Sequence, residues 1–345
     1  MILCKDCWIA HEAATLLARC KRCEANTEIH RLDPLPSKAS NGGSFSSPLI
    51  CRLHATEPLD LYCGSCRREV SPRSRIAEGG VLAILGDTEA GKTSLLWIVS
   101  ERLRQPNASG VVIRGGLGDS DEQMMRAVRE IFDHGRLSTT PATDADVRNY
   151  AWEVANAAGE TTVLAFHDAA GEVWNDLPSL SRTSYDRFYR YLDLVGSVIF
   201  AVDGVRVAEA IETFARKGVA SPQLRRAQTN ELAIIDAVAR RMRARKERIP
   251  AAVVITKADV LWNELTALRP DSDADAETID RTVRELLVSA GRQQLVQALG
   301  ETFDPLRFFA VSAFGRTPQQ QLRVEELAPA RVEEPFVALL STIRV

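Results

Sequence analysis

Residues 86–93 read Gly-Asp-Thr-Glu-Ala-Gly-Lys-Thr, and their chemistry is directed at phosphate. Gly86 and Gly91 let the backbone through Asp87, Thr88, Glu89 and Ala90 curl until successive N–H groups face phosphate oxygens. A helix beginning at Ser94 adds the favourable field of its N-terminus. Lys92 is the cation that reaches β- and γ-phosphates, and the Thr93 hydroxyl is a Mg²⁺ ligand. The pattern G-x-x-x-x-G-K-[ST] has this meaning only between a strand and a helix. The apolar run 81–85 and the apolar-periodic segment that follows supply both, which disfavours an accidental glycine turn. The stretch predicts a nucleoside triphosphate site.

Two later strand ends carry matching chemistry. The apolar run 162–166 delivers His-Asp168-Ala-Ala-Gly171-Glu172. In a D-x-x-G at that place Asp168 serves Mg²⁺, usually through water, and the Gly171 N–H senses the γ-phosphate. The run 251–255 delivers Thr256-Lys257-Ala258-Asp259, a T-K-x-D version of the N-K-x-D guanine motif. The Asp259 carboxylate can accept from guanine N1–H and N2–H₂, whereas adenine leaves it unpaired. The aliphatic stem of Lys257 lies along the ring in this reading.

The cysteines form a second, separate signal. All 7 lie at or before position 66. They make the knuckles Cys4-x-x-Cys7, Cys20-x-x-Cys23, Cys51-x-x-His54 and Cys63-x-x-Cys66, each able to give two ligands to one tetrahedral ion. Eight ligands predict two Zn²⁺ ions. Sequential pairing joins the first knuckle to the second and the third to the fourth, and a cross-brace interleaves them. The connector-like stretch 34–48 favours the sequential arrangement. Zinc also answers a physical need, because so short a segment with few large apolar residues cannot hold a fold by burial alone. His11 and His30 could also be ligands, but lone histidines outside knuckle spacing are more often solvated, and they are read so.

These motifs need a scaffold. Strands are expected at 81–85, 111–114, 150–155, 162–166, 197–202, 251–255 and 308–311, and helices at 93–104, 119–132, 207–217, 223–246 and 335–344. The alternation predicts an α/β fold, with a zinc-binding module over 1–72 and a nucleotide-binding domain over 73–345. The acidic stretch 271–277 reads as a loop, and the arginines of 223–246 read as a solvated helix face ahead of a basic patch for nucleic acid or an acidic partner. A net charge of −3 argues against a large nucleic-acid footprint. No apolar run reaches membrane-spanning length, and the N-terminus lacks a leader pattern, so a cytoplasmic protein without membrane contact is expected.

The P-loop, D-x-x-G, T-K-x-D and Ser312-Ala313, in this order and each after a strand, resemble the Ras-like, translation-factor-related GTPases over about residues 76–345. The wording HDAAGE with TKAD is most similar to the bacterial double-GTPase families. That resemblance implies a mixed, mostly parallel P-loop sheet with helices on both faces, GTP/GDP as ligand, and Ser312-Ala313 N–H groups meeting guanine O6. It implies a switch I threonine among Thr139, Thr140 and Thr143, of which Thr140 is preferred, and a segment inserted at 119–132. It places Glu172 where relatives carry a water-orienting glutamine, which implies slow hydrolysis and an activating or effector protein as partner. A second GTPase chain and a multi-protein signalling or defence system also follow from it. Residues 51–66, CRLHATEPLDLYCGSC, resemble the start of a B-box zinc finger without the further downstream ligands, implying protein interaction. An ATPase, counted against by Asp259, and a nucleotide-bound scaffold without turnover are the competing readings. Nucleic-acid binding by the zinc module ranks below protein binding.

Overall fold

A computed structural model of the 345-residue chain describes residues 2–7, 9–11, 16–20, 30–31, 59–70, 81–87, 89–105, 110–117, 119–122, 124–126, 148–155, 161–168, 190–217, 222–245, 248–315 and 327–341. Five short strands come first: β1 (Ile2–Cys4), β2 (Ile9–His11), β3 (Leu17–Cys20), β4 (His30–Arg31) and β5 (Leu59–Tyr62). β1 and β2 form an antiparallel pair, and β3 lies between β4 and β5. The larger unit runs β6 (Val81–Gly86), α1 (Lys92–Arg102), β7 (Val112–Gly116), β8 (Arg148–Ala155), β9 (Thr161–Asp168), β10 (Val195–Asp203), α2 (Gly204–Lys217), α3 (Pro222–Arg245), β11 (Ala251–Thr256), α4 (Ala276–Ser289), α5 (Gln293–Thr302), β12 (Leu306–Ala310) and α6 (Glu334–Leu340).

Its seven strands are ordered β12-β11-β10-β6-β9-β8-β7. β12, β11, β10, β6 and β9 pair in parallel, while β8 is antiparallel to both neighbours. Every residue of β6 and β11 is buried, as continuous apolar runs covered on both faces require. The strand period of two sorts the side chains into two cores. Val81, Ala83 and Leu85 join Phe200, Val253 and Ile255 under α2, α3, α4 and α5. Leu82 and Ile84 join Ile199, Val254 and Phe309 under α1 and the Phe336 and Leu339 side chains of α6. The expected mixed sheet with helices on both faces is thus the observed one.

The observed α4 and α5 correct the sequence reading, which saw only an acidic loop at their start. Asp275 ends that loop as the cap of α4, its Oδ1 accepting from Thr278 N–H at 2.8 Å. Ile279, Val283, Leu286 and Leu287 then recur on one buried face. Asp280 also reaches the sheet edge, its Oδ1 accepting from Phe308 N–H at 2.7 Å. The acidic stretch hid the helix start because one of its residues, Asp275, caps the helix on a backbone N–H.

β7 is the outer strand and is held by one carboxylate. Asp121 accepts from Gly116 N–H at 2.9 Å and from the Trp152 indole at 3.0 Å, and pairs with Arg104. Residues 120–122 and 124–126 are helical, within the segment expected at 119–132. Burial works to raise the Asp121 pKa, but the Gly116 N–H, the Arg104 guanidinium and the Trp152 N–H together hold it below the ordinary carboxylate value. A depressed folded-state pKa contributes stability that is complete above the unfolded carboxylate range and is lost as pH falls through and below it. Asp121→Asn is therefore expected to flatten the acid limb of stability, measured as urea midpoints between about pH 3 and 7; an unchanged slope would contradict this.

The N-terminal strands are not a tethered appendage. β1 is buried on both faces. Ile2 and Cys4 face a small core with Cys7, Leu16, Leu61, Cys63 and Val70. Leu3, pointing the other way, is 1% exposed and belongs to the main core with Leu117 and Ala151. Lys5 Nζ adds an ion pair with Asp119 at 2.7 Å.

Candidate functional site

The parallel register brings three strand ends to one corner. Gly86 lies beside Ala201, and Asp203 lies beside Thr256. Gly86 has φ +146°, and a Cβ on it would stand 2.4 Å from the Ala201 carbonyl oxygen, so the loop leaves β6 by a path open to glycine alone. Gly91, at φ +72°, caps α1, which begins at Lys92, two residues earlier than the sequence pattern indicates. Lys92 is buried, and its Nζ donates to the Gly86 and Asp87 carbonyls at 3.0 Å each. Thr93 and Ser94 occupy the first turn of the helix beside it.

The T-K-x-D segment braces this loop. Thr256 Oγ1 donates to Ala90 O at 2.9 Å and contacts Val202 O at 3.2 Å, so its one proton is engaged with backbone. Lys257, at φ +51°, donates from Nζ to Glu89 O at 2.8 Å and to Asp203 Oδ2 at 3.1 Å. Asp259 Oδ1 accepts the Ser312 hydroxyl, and Ser312 Oγ in turn accepts Gly315 N–H at 2.9 Å. Ser312 thus aims the Asp259 carboxylate through its side chain. Its N–H donates to Ala330 O at 3.1 Å. Ala313 is half-buried beside the same core.

Sequence reasoning missed the other side of the corner. Asp87 is 5% exposed; Arg206 of α2 pairs with its Oδ2, and Asn230 of α3 donates to its Oδ1 at 3.2 Å. Arg206 also lies 3.6 Å from Glu89 and 4.0 Å from Asp203. Asp203 caps α2, its Oδ1 accepting Val205 N–H at 3.0 Å. The one sequence signal was an Asp-Gly-Val-Arg at the end of a core strand, beside an acidic phosphate loop.

In the N-terminal unit, Cys4, Cys7, Cys63 and Cys66 place their sulfurs within 4.8 Å of one another. Sequential pairing is corrected: the first knuckle meets the fourth. The reason is β-pairing, since β5 joins β3 and brings residues 63–66 back to the chain start. Cys4 Sγ lies 3.6 Å from Cys66 Sγ, and Cys7 Sγ 3.5 Å from Cys63 Sγ. Tetrahedral zinc with Zn–S bonds of about 2.3 Å would set sulfurs about 3.8 Å apart, so the donor set fits a closed zinc site. Ser65 and Cys66 N–H groups donate to Cys63 Sγ at 3.3 and 3.4 Å, as suits a thiolate. The hydrogen bond with Cys7 lowers the Cys4 thiol to about 5, and the same bond pushes Cys7 up. Burial pushes Cys66 up to about 12. Four such sulfurs cannot all ionise without a cation. His11 is buried, not solvated, with Nε2 3.0 Å from Cys63 Sγ.

A family profile, Double-GTPase 2, matches residues 80–329. The chain belongs to the Double-GTPase 2 family. No curated protein matches it significantly. Three solved structures share features of its fold. The Ski7 GTPase-like domain of S. cerevisiae bound to GTP has TM-score 0.39 and 12% identity, covering 77% of this chain and 50% of that one. The chain thus corresponds to half the length of that structure. The nucleolar GTP-binding protein 1 of Plasmodium falciparum has TM-score 0.36 and 11% identity, with coverages of 78% and 88%. The signal recognition particle receptor SRb-GTP/SRX complex from Chaetomium thermophilum gives TM-score 0.36 and 15% identity, with coverages of 69% and 95%.

As a Double-GTPase 2 member the chain is a GTP-binding protein. Among the sequence-predicted residues, the structure brings Gly86, Asp87, Glu89, Ala90, Gly91, Lys92, Thr93, Thr256, Lys257, Asp259 and Ser312 to one corner. Asp168 is the last residue of β9, which runs parallel to β6. Thr88, Thr140, Gly171 and Glu172 lie outside the described residues, as do Cys23, Cys51 and His54; Cys20 ends β3. Among the described residues no helix is long and apolar enough to cross a membrane.

Proposed function

We propose that this chain is a guanine-nucleotide switch with a slow intrinsic GTPase activity and a zinc-stabilised N-terminal interaction module, the division falling near residue 72. The observation that carries it is the bracing of the phosphate loop by Lys257 together with the Ser312-held Asp259 carboxylate. Loop amides of residues 86–91 and the start of α1 bind phosphates, with Lys92 turning from the Gly86 and Asp87 carbonyls to their oxygens. Asp259 reads the base edge. Thr93 and Asp168 supply the hard oxygen donors that suit Mg²⁺, whose contribution when bound is neutralisation of phosphate charge. Thr140 and Gly171 act as switch contacts, and Glu172 stands at the attacking water with a carboxylate in place of an amide. An acidic group beside phosphate slows the reaction and leaves room for an activating partner, including a second GTPase chain. A cytoplasmic signalling or defence assembly suits this combination.

Competition decides the nucleotide. Bound fluorescent GDP is expected to be displaced by GTP and not by ATP in the presence of Mg²⁺. Equal displacement by ATP would remove Asp259 as base reader and favour an ATPase. Single-turnover hydrolysis by the protein alone is expected to be slow; a fast rate would rule out the role given to Glu172.

A further inference from the structure

The phosphate loop of this protein is acidic, and that is a problem for binding a polyanion. Asp87 and Glu89 sit inside the loop, and Asp203 closes the neighbouring strand end. Asp87 and Asp203 are buried, with little water to screen them. Lys92 and Lys257 are the loop's other cations, and both are engaged with its carbonyls. One guanidinium, Arg206, lies within 4.0 Å of all three carboxylates. It stands in the first turn of α2, anchored by Asp203, which caps that helix and also pairs with Lys257.

We infer that Arg206 is a positioning residue for nucleotide binding, neutralising the Asp87 and Glu89 carboxylates so that the loop amides present an attractive field to phosphate. It acts through these two acids rather than on the phosphates. Asn230 completes the arrangement by holding the second Asp87 oxygen, so the carboxylate stays turned toward α2 and α3. Burial opposes the charge of Arg206, yet the Asp87 hydrogen bond and the fields of Asp87, Asp203 and Glu89 keep its pKa above the ordinary value. The inference rests on the nucleotide reading above.

The test is titration of the full chain with fluorescent GDP at several salt concentrations, alongside thermal unfolding. Arg206→Gln is expected to weaken binding about 30-fold or more, the lower end of what truncating one partner of a close, partly buried charge pair costs. The loss should shrink as salt rises, because the exposed Glu89 carboxylate becomes screened. Arg206→Lys, which keeps the charge, should lose far less. Asp87→Asn combined with Arg206→Gln removes the buried charge that the single variant strands, and should recover most of the affinity even if the single variant unfolds. Equal affinity of Arg206→Gln and the unaltered protein, or a loss that neither lysine nor Asp87→Asn relieves, overturns the inference and leaves the nucleotide reading standing. Failure of the unaltered protein to bind GDP overturns both.

Discussion

Removing metal from the Cys4, Cys7, Cys63, Cys66 site, by chelation or by Cys63→Ser, is expected to unfold the N-terminal strands and lower the stability of the nucleotide-binding unit as well. The small core there consists of Ile2, Leu16, Leu61 and Val70 around three of the cysteines. Four aliphatic side chains at about 1.5–3 kcal/mol each cannot offset the ordering of some dozens of residues. Structural zinc supplies on the order of 10–16 kcal/mol of apparent binding energy to such units. Leu3 carries the effect further. It is 1% exposed within the main core, so unravelling β1 uncovers Leu117 and Ala151. Leu3→Ala alone is expected to cost about 2–5 kcal/mol. Zinc release should be measured with a colorimetric chelator while amide exchange is followed in β1, β7 and β8. Protection of β7 and β8 that survives chelation would show that Leu3 and the Lys5–Asp119 pair do not hold that edge.

Gly86→Ala is expected to abolish nucleotide binding and to destabilise the nucleotide-binding unit by several kcal/mol. The backbone there has φ +146°, where an L side chain is strained by about 1–3 kcal/mol. The new Cβ would also meet the Ala201 carbonyl oxygen at 2.4 Å, backbone against backbone, with no flexible side chain to yield. Either β10 moves or the loop leaves β6 differently, and both disrupt the corner where Thr256 and Lys257 meet Ala90 and Glu89. Gly300→Ala is the control. It lies in α5 with nothing within 4 Å of the added Cβ, and alanine there should stabilise by about 0.5–1 kcal/mol. Calorimetry and GDP titration of both variants separate the cases. Normal GDP binding by Gly86→Ala would rule out a loop that leaves β6 at this positive φ.

How much was legible in the sequence follows from how far apart the cooperating residues are. Residues 81–93 are one continuous strand, turn and helix, so the phosphate loop and its glycines could be read directly. The strands ending at Asp168, Asp203 and Thr256 announced themselves as apolar runs, but which of the two cores each side chain enters was not legible, because continuous apolar runs show no alternation. The knuckles were legible as pairs because each is a single turn. The acidic stretch before α4 was misread because Asp275 serves a backbone N–H as the helix cap, a use that composition does not reveal.

What the sequence by itself determined is the local chemistry: a glycine-lysine loop between strand and helix, a T-K-x-D segment at a strand end and cysteine knuckles, each encoded within a few residues. The tertiary structure alone decided which of these meet. Strand pairing between positions 39 to 45 apart joined Cys4 and Cys7 to Cys63 and Cys66. Parallel register set Asp203 beside Thr256 and put Arg206 and Asn230 on Asp87. Burial turned Leu3 into a core residue of the neighbouring unit. Such contacts depend on chain closure over long separations, where side-chain type carries little information about the partner and only the packed sheet selects it.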